Sequence, residues 1–142
     1  MQSKKYLLIL IVVIMTIPAW GQQPWALVIH GGAGVMSKEK MNEERQQEYI
    51  QVLNKALEVG EKMLGKGAIS TDVVVEVIRV MEDSPLFNAG KGAVFTSEGK
   101  NELDASIMDG KTLNAGAIAG VTDIKNPITA AREVMLHSEH VF

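Results

Sequence analysis

The 142-residue chain contains no cysteine, so neither a disulfide nor a lipid-modified N-terminal cysteine can form. Aromatic residues make up 5% of it, Lys and Arg form no cluster, and the formal charge is −3, which argues against a nucleic-acid binder. The acidic residues are spread along helical segments and serve solvation. Only three histidines occur, His30, His137 and His140, too scattered for a metal cluster. The longest apolar run, Tyr6 to Ile17, falls short of the ~18–20 residues that cross a bilayer.

That run follows Lys4 and Lys5, is broken by Pro18, and ends in Ala19-Trp20-Gly21, which puts small residues three and one before Gln22. The arrangement predicts a secretory signal peptide over residues 1–21, cut after Gly21, with export to the periplasm or beyond. A short membrane anchor is the weaker reading because the run is too short. Once cut, the chain is two charges more acidic and no longer membrane-bound. Residues 22–142 have room for one domain.

Pro24 to Ile29 reads as a short buried strand that runs into His30-Gly31-Gly32-Ala33-Gly34. Three glycines in five residues require a tight turn where the backbone comes close to something. Two readings stay open here: a nest of N–H groups for an anion or oxyanion, or a plain strand-to-loop turn. The spacing matches neither a dinucleotide fingerprint nor a phosphate loop.

Asn42 to Gly65 has helical spacing, with Asn42 as cap and Tyr49, Leu53, Ala56, Leu57, Gly60, Met63 and Leu64 along one face. Ser70 to Asp83 reads as a second helix capped by Ser70 or Thr71. Val73, Val74, Val77, Ile78 and Met81 form its buried face, with Asp72, Glu76, Arg79 and Glu82 in water. Its β-branched residues favour a strand, but charges three and four apart do not fit a period of two. From Leu86 to Val121, glycine turns separate short apolar runs: strands over Gly92–Thr96, Glu102–Met108 and Ala115–Ala119. Asn126-Pro127 opens a last helix running to about His137. The order strand, two helices, three close strands, helix fits a layered α+β or α/β arrangement better than a doubly wound parallel sheet. Asp104 and Asp109 could pair as carboxylates, but turn-forming and hydrogen-bonding roles fit their positions better. No serine or threonine has a base and an orienting group beside it.

Five ordered blocks carry a family resemblance: VIHGGAG (28–34), PLFNAGKGAVF (85–95), ELDASIMDG (102–110), NAGAIAGV (114–121) and NPITAAREVM (126–135). Together they resemble the plant-type asparaginase and isoaspartyl peptidase family of N-terminal nucleophile hydrolases, over Trp25 to Phe142. The resemblance implies a precursor that cuts itself before a threonine, whose hydroxyl attacks while its own amine serves as base. It implies hydrolysis of asparagine's side-chain amide and of β-aspartyl dipeptides, in a four-layer αββα sandwich built from both pieces. The threonine, the groups gripping the substrate's α-amino and α-carboxylate, and the main oxyanion donors fall in the second piece, beyond residue 142. The chain is therefore expected to be the front part of the precursor, inactive alone, with the second piece as partner in a dimer of processed heterodimers. A non-catalytic binding or structural protein keeping the first part of the fold is the alternative.

By the same resemblance, His30, Gly31, Gly32 and Asn88 lie near the nucleophile. The loop 81–91 is similar to one that wraps a structural sodium ion with main-chain carbonyls: Met81, Glu82, Ser84, Phe87, Ala89 and Lys91. No cofactor is implied for catalysis.

Overall fold

The computed structural model describes residues 25–32 and 41–140, so the expected leader over 1–21 and Ala33 and Gly34 of the glycine turn lie outside it. Helix α1, Glu43–Leu64, starts where the Asn42 side chain accepts the Arg45 amide at 2.9 Å, with Glu43 and Glu44 at its positive end. Helix α2 is Ser70–Glu82, followed by strands β1, Leu103–Met108, and β2, Ala115–Val121, and helix α3, Pro127–His137. Pro127 occupies the first turn of α3, where its missing N–H costs nothing.

Strands β1 and β2 pair antiparallel, with Ile107 opposite Gly116 and Ala105 opposite Ile118. Leu103 faces Val121, so Ala119 and Gly120 together oppose Asp104, a bulge. Gly120 takes φ +65° there, and its amide donates to Asp104 Oδ1 at 2.8 Å. One face of this sheet carries α3: Ile128, Ala131 and Met135 close over Ile107, with Val75 of α2 completing the cluster. A second cluster joins α1 and α2 through Ala56, Val73 and Val77, with Leu27 and Ile29 laid against it. Gly60 is the contact point, since a Cβ there would collide with Leu27 and come within 2.9 Å of Val77.

Helix α2 thus packs on two sides, which corrects the single buried face expected of it. Val73 and Val77 meet α1, whereas Val75, on the opposite side, meets α3 and the sheet; Val74 is 37% exposed. A helix enclosed between two layers tolerates apolar residues all round, which is why its valines obscured the period. Neither Ser70 nor Thr71 caps it; the cap position is Ile69, without a side-chain hydrogen bond.

Two expected strands do not form among the described residues. Residues 25–29 alternate between half-buried and exposed, with Val28 90% exposed, but pair with nothing because β1 and β2 pair only with each other. Over 92–96, a 3-10 turn at Gly90–Gly92 uses up the start of the segment, and only Phe95 bridges to Asn101. Thr96 to Lys100 does form the expected hairpin turn: the Thr96 amide donates to the Lys100 carbonyl at 2.7 Å.

Candidate functional site

The glycine turn is described as far as Gly32, which takes φ +110° and donates its amide to His30 Nδ1 at 3.3 Å. The imidazole is exposed and partnered by its own turn, an arrangement that shapes backbone. His30 shares an apolar cleft of about 190 Å³ with Leu27, Ile29, Val77 and Met81. The cleft brings the turn to the end of α2, where the second candidate element begins.

That element is the loop from Met81 to Lys91, and its shape depends on glycine at two places. At Gly90, φ +50°, a Cβ would stand 2.5 Å from the Glu82 carbonyl oxygen. At Gly92 a Cβ would collide with the Phe87 carbonyl oxygen and lie 2.9 Å from that of Pro85. Three main-chain oxygens, those of Glu82, Pro85 and Phe87, therefore crowd onto bare glycine backbone. The Met81 carbonyl accepts the Ser84 amide and the Ala89 carbonyl the Gly92 amide, both at 3.1 Å. Carbonyl oxygens exposed on such a loop are the ligand type that a hard cation prefers. Among the six residues expected to hold such an ion, Glu82 and Phe87 present carbonyls to the glycines, and so does Pro85, which is outside that set.

The loop is pinned to α1 by Tyr49, whose hydroxyl donates to the Leu86 carbonyl at 2.7 Å while its ring meets Phe87 edge-on at 5.6 Å. The sequence pattern showed Tyr49 only as one of an apolar stripe. Replacing Tyr49 with Phe keeps the ring contact and leaves the half-buried carbonyl short of a donor. Urea unfolding should show a loss of about 1 kcal/mol; an unchanged midpoint would mean that water serves Leu86 equally well.

Asn88 is exposed, and its Oδ1 accepts the Val94 amide at 2.9 Å, closing the loop's far side. Among the described residues its Nδ2 meets no acceptor, and no hydrogen bond joins Asn88 to His30, Gly31 or Gly32. Asn101 reinforces the same turn by donating to the Ala93 and Val94 carbonyls.

Glu82, expected in water, is buried. Its carboxylate reaches the Ile128 amide, a partner 46 residues away that periodicity cannot reveal, and burial pushes its carboxyl above the usual range. Asp109 does what its position suggested. It accepts the Lys111 amide at 3.0 Å and the Thr112 hydroxyl at 2.7 Å in the β1–β2 turn, and these bonds hold its carboxyl below the usual range. A lowered folded-state value means stabilisation that is present above the ordinary carboxylate range and lost as pH falls through the folded value. Asp109→Ala should therefore lower the Tm at neutral pH, with the gap to the parent protein narrowing in acid. A gap independent of pH would rule out the charge as its source. No group of three or more His, Cys, Asp or Glu side chains that could hold a metal occurs among the described residues.

The site is thus a polar edge made of main chain, with donors at one turn and acceptors at the next loop, and few reactive side chains. Residues 23–142 match the family model described as asparaginase, and the chain belongs to that family. It is 51% identical over 115 residues to an isoaspartyl peptidase of Salmonella typhimurium, a match covering 81% of this chain and 37% of that protein. With a putative isoaspartyl peptidase/L-asparaginase of Dictyostelium discoideum, identity is 53% over 114 residues, 80% of this chain and 33% of the other. A plant-type L-asparaginase of Pyrococcus horikoshii is 51% identical over 116 residues, 82% of this chain and 36% of that one. The chain spans about a third of the length of the curated relatives it matches.

Proposed function

We propose that this chain is the front part of an exported hydrolase acting on the side-chain amide of L-asparagine and on β-aspartyl dipeptides. The observation that carries the reading is the family match over residues 23–142, with relatives named for these two activities. Both substrates present the same reacting carbon, the side-chain carbonyl of an aspartyl unit with free α-amino and α-carboxylate groups. They differ only in whether ammonia or an amine leaves, so one site can serve both.

In this reading the nucleophile is a threonine exposed by self-cleavage in the segment following residue 142, its own amine taking the hydroxyl proton. The His30-Gly31-Gly32 turn supplies backbone near the attacked carbonyl. Asn88, held at Oδ1 by Val94, keeps its Nδ2 hydrogens for charge developing on the carbonyl oxygen. The loop carbonyls of Met81, Glu82, Ser84, Phe87, Ala89 and Lys91 would hold a structural sodium ion, which offsets their converging dipoles and takes no part in the chemistry. The second piece lays its strands over the outer face of the sheet, where Ser106 and Met108 are exposed beside Ala115 and Ala117, completing an αββα sandwich that dimerises. Residues 1–21 direct export and are removed; N-terminal sequencing of the exported product should begin at Gln22.

Expression from the whole reading frame, followed by intact-mass measurement and an ammonia assay on L-asparagine, tests the reading. Two pieces, the second starting at threonine, and turnover on the order of 1 s⁻¹ or faster are expected, with residues 22–142 alone inactive. A single uncut product without ammonia release would overturn it, as would turnover by residues 22–142 alone.

A further inference from the structure

Glu82 belongs to two segments at once. It ends α2, it is 3% exposed, and its main-chain carbonyl packs against the bare backbone of Gly90. Its side chain runs elsewhere: Oε1 accepts the Ile128 amide at 3.1 Å. Ile128 is the second residue of α3, and an amide in that position has no partner within its own helix. The residue placed to cap α3, Asn126, makes no cap bond of its own. Its Nδ2 donates instead to Asp83 Oδ1 at 3.1 Å, an oxygen that Lys125 Nζ also approaches to 2.8 Å. The side chains of residues 82 and 83 thus hold the start of α3, while the main chain of residue 82 belongs to the carbonyl loop.

The arrangement carries a cost. Glu82 Oε2 is buried without a hydrogen bond of good geometry, although the Asn126 side chain favours its charged form, and burying such a carboxyl is destabilising. A glutamine would cap the same amide without burying an ionisable group, and a serine or aspartate at residue 126 would cap α3 locally. Of these, only the glutamine would also tie the loop to α3; a local cap at residue 126 would leave the two unconnected. Through Ile128, Ala131 and Met135, α3 is in turn the element packed on the β1–β2 sheet. A continuous set of contacts therefore runs from the loop carbonyls through one residue to the sheet.

We propose that Glu82 is a positioning residue that couples the carbonyl loop to α3, so that a cation in the loop and an ordered first turn of α3 stabilise each other. The coupling rests on the sodium reading of residues 81–91. Linkage makes it reciprocal: the factor by which the cap tightens cation binding is the factor by which the cation protects the cap.

The test uses the protein expressed from its whole reading frame, in sodium chloride against choline chloride at equal ionic strength. In the unmodified protein, saturating sodium should slow hydrogen exchange at the Ile128 amide by about tenfold or more. Thermal unfolding over a sodium series then gives the midpoint of the response. Glu82→Ala should move that midpoint upward about tenfold, while Glu82→Gln, which keeps an acceptor for Ile128, should stay within about threefold. An unmodified protein that responds to sodium while its Ile128 exchange stays constant and Glu82→Ala keeps the original midpoint would overturn the coupling and leave the sodium reading standing. An unmodified protein whose unfolding is the same in sodium and choline would overturn the sodium reading, and the coupling with it. Should Glu82→Ala fail to fold, Ile128 exchange in the unmodified protein decides alone.

Discussion

Gly116→Val is expected to leave little folded protein, and Gly116→Ala to cost about 3 kcal/mol. Gly116 lies inside β2, where alanine or valine would ordinarily be the better strand former, so local propensity predicts the opposite sign. Packing decides. A Cβ at residue 116 would collide with the Ala131 carbonyl oxygen and the Met135 amide nitrogen and come within 2.9 Å of Met135 Cα. All three are main-chain atoms of α3 and cannot rotate aside as the tip of a long side chain can. To make room, α3 must lift off the sheet, and Ile128, Ala131 and Met135 would lose their contacts with Ile107. A Tm lower by on the order of 10 °C for the alanine variant would agree with this. An alanine variant as stable as the parent would mean that α3 does not sit directly on β2.

Gly92→Ala is the second large effect, and it falls on the loop. Residue 92 does not need a left-handed backbone, so what matters there is space alone. The added methyl would displace the Phe87 and Pro85 carbonyls and so, on the proposed sodium reading, remove any stabilisation by sodium. Gly99→Ala is the control. That residue takes φ +76° with nothing within 4 Å of a Cβ, so alanine there costs only backbone strain of about 1–2 kcal/mol. Thermal unfolding of both variants in sodium and in choline chloride separates the two causes. Gly92→Ala should lose the sodium response and Gly99→Ala should keep it. A sodium response that survives Gly92→Ala would place the ion elsewhere.

Elements with strong local signals were legible in the sequence. Asn42 with two glutamates after it set the start of α1, Asn126-Pro127 that of α3, and short apolar runs between glycine turns set β1 and β2 within two residues. Misreadings arose where a distant partner decides. The strand expected over 92–96 is reduced to a single bridge at Phe95, because Gly90 and Gly92 let the chain fold back onto residues 82–87. Glu82 reads as wet from the charges around it, and nothing nearby in sequence points to the Ile128 amide. Tyr49 carries the same spacing as its apolar neighbours, while its hydroxyl serves a carbonyl 37 residues on. The glycine turn was visible from composition alone, but its chemistry was not, since backbone N–H groups carry no residue-type signature. An expectation for that turn came only from the resemblance carried by the ordered blocks.

The central claim is most directly tested by offering the product of the whole reading frame a β-aspartyl dipeptide and its α-linked isomer, and measuring free aspartate. The reacting carbonyl belongs to the aspartyl side chain in one isomer and to its main chain in the other. A site built around free α-amino and α-carboxylate groups should therefore prefer the β-linked form by on the order of 100-fold or more. Release of aspartate from the β-linked dipeptide alone, together with ammonia from asparagine, is the result this account predicts. Equal hydrolysis of both isomers, or none of the β-linked one, would contradict it.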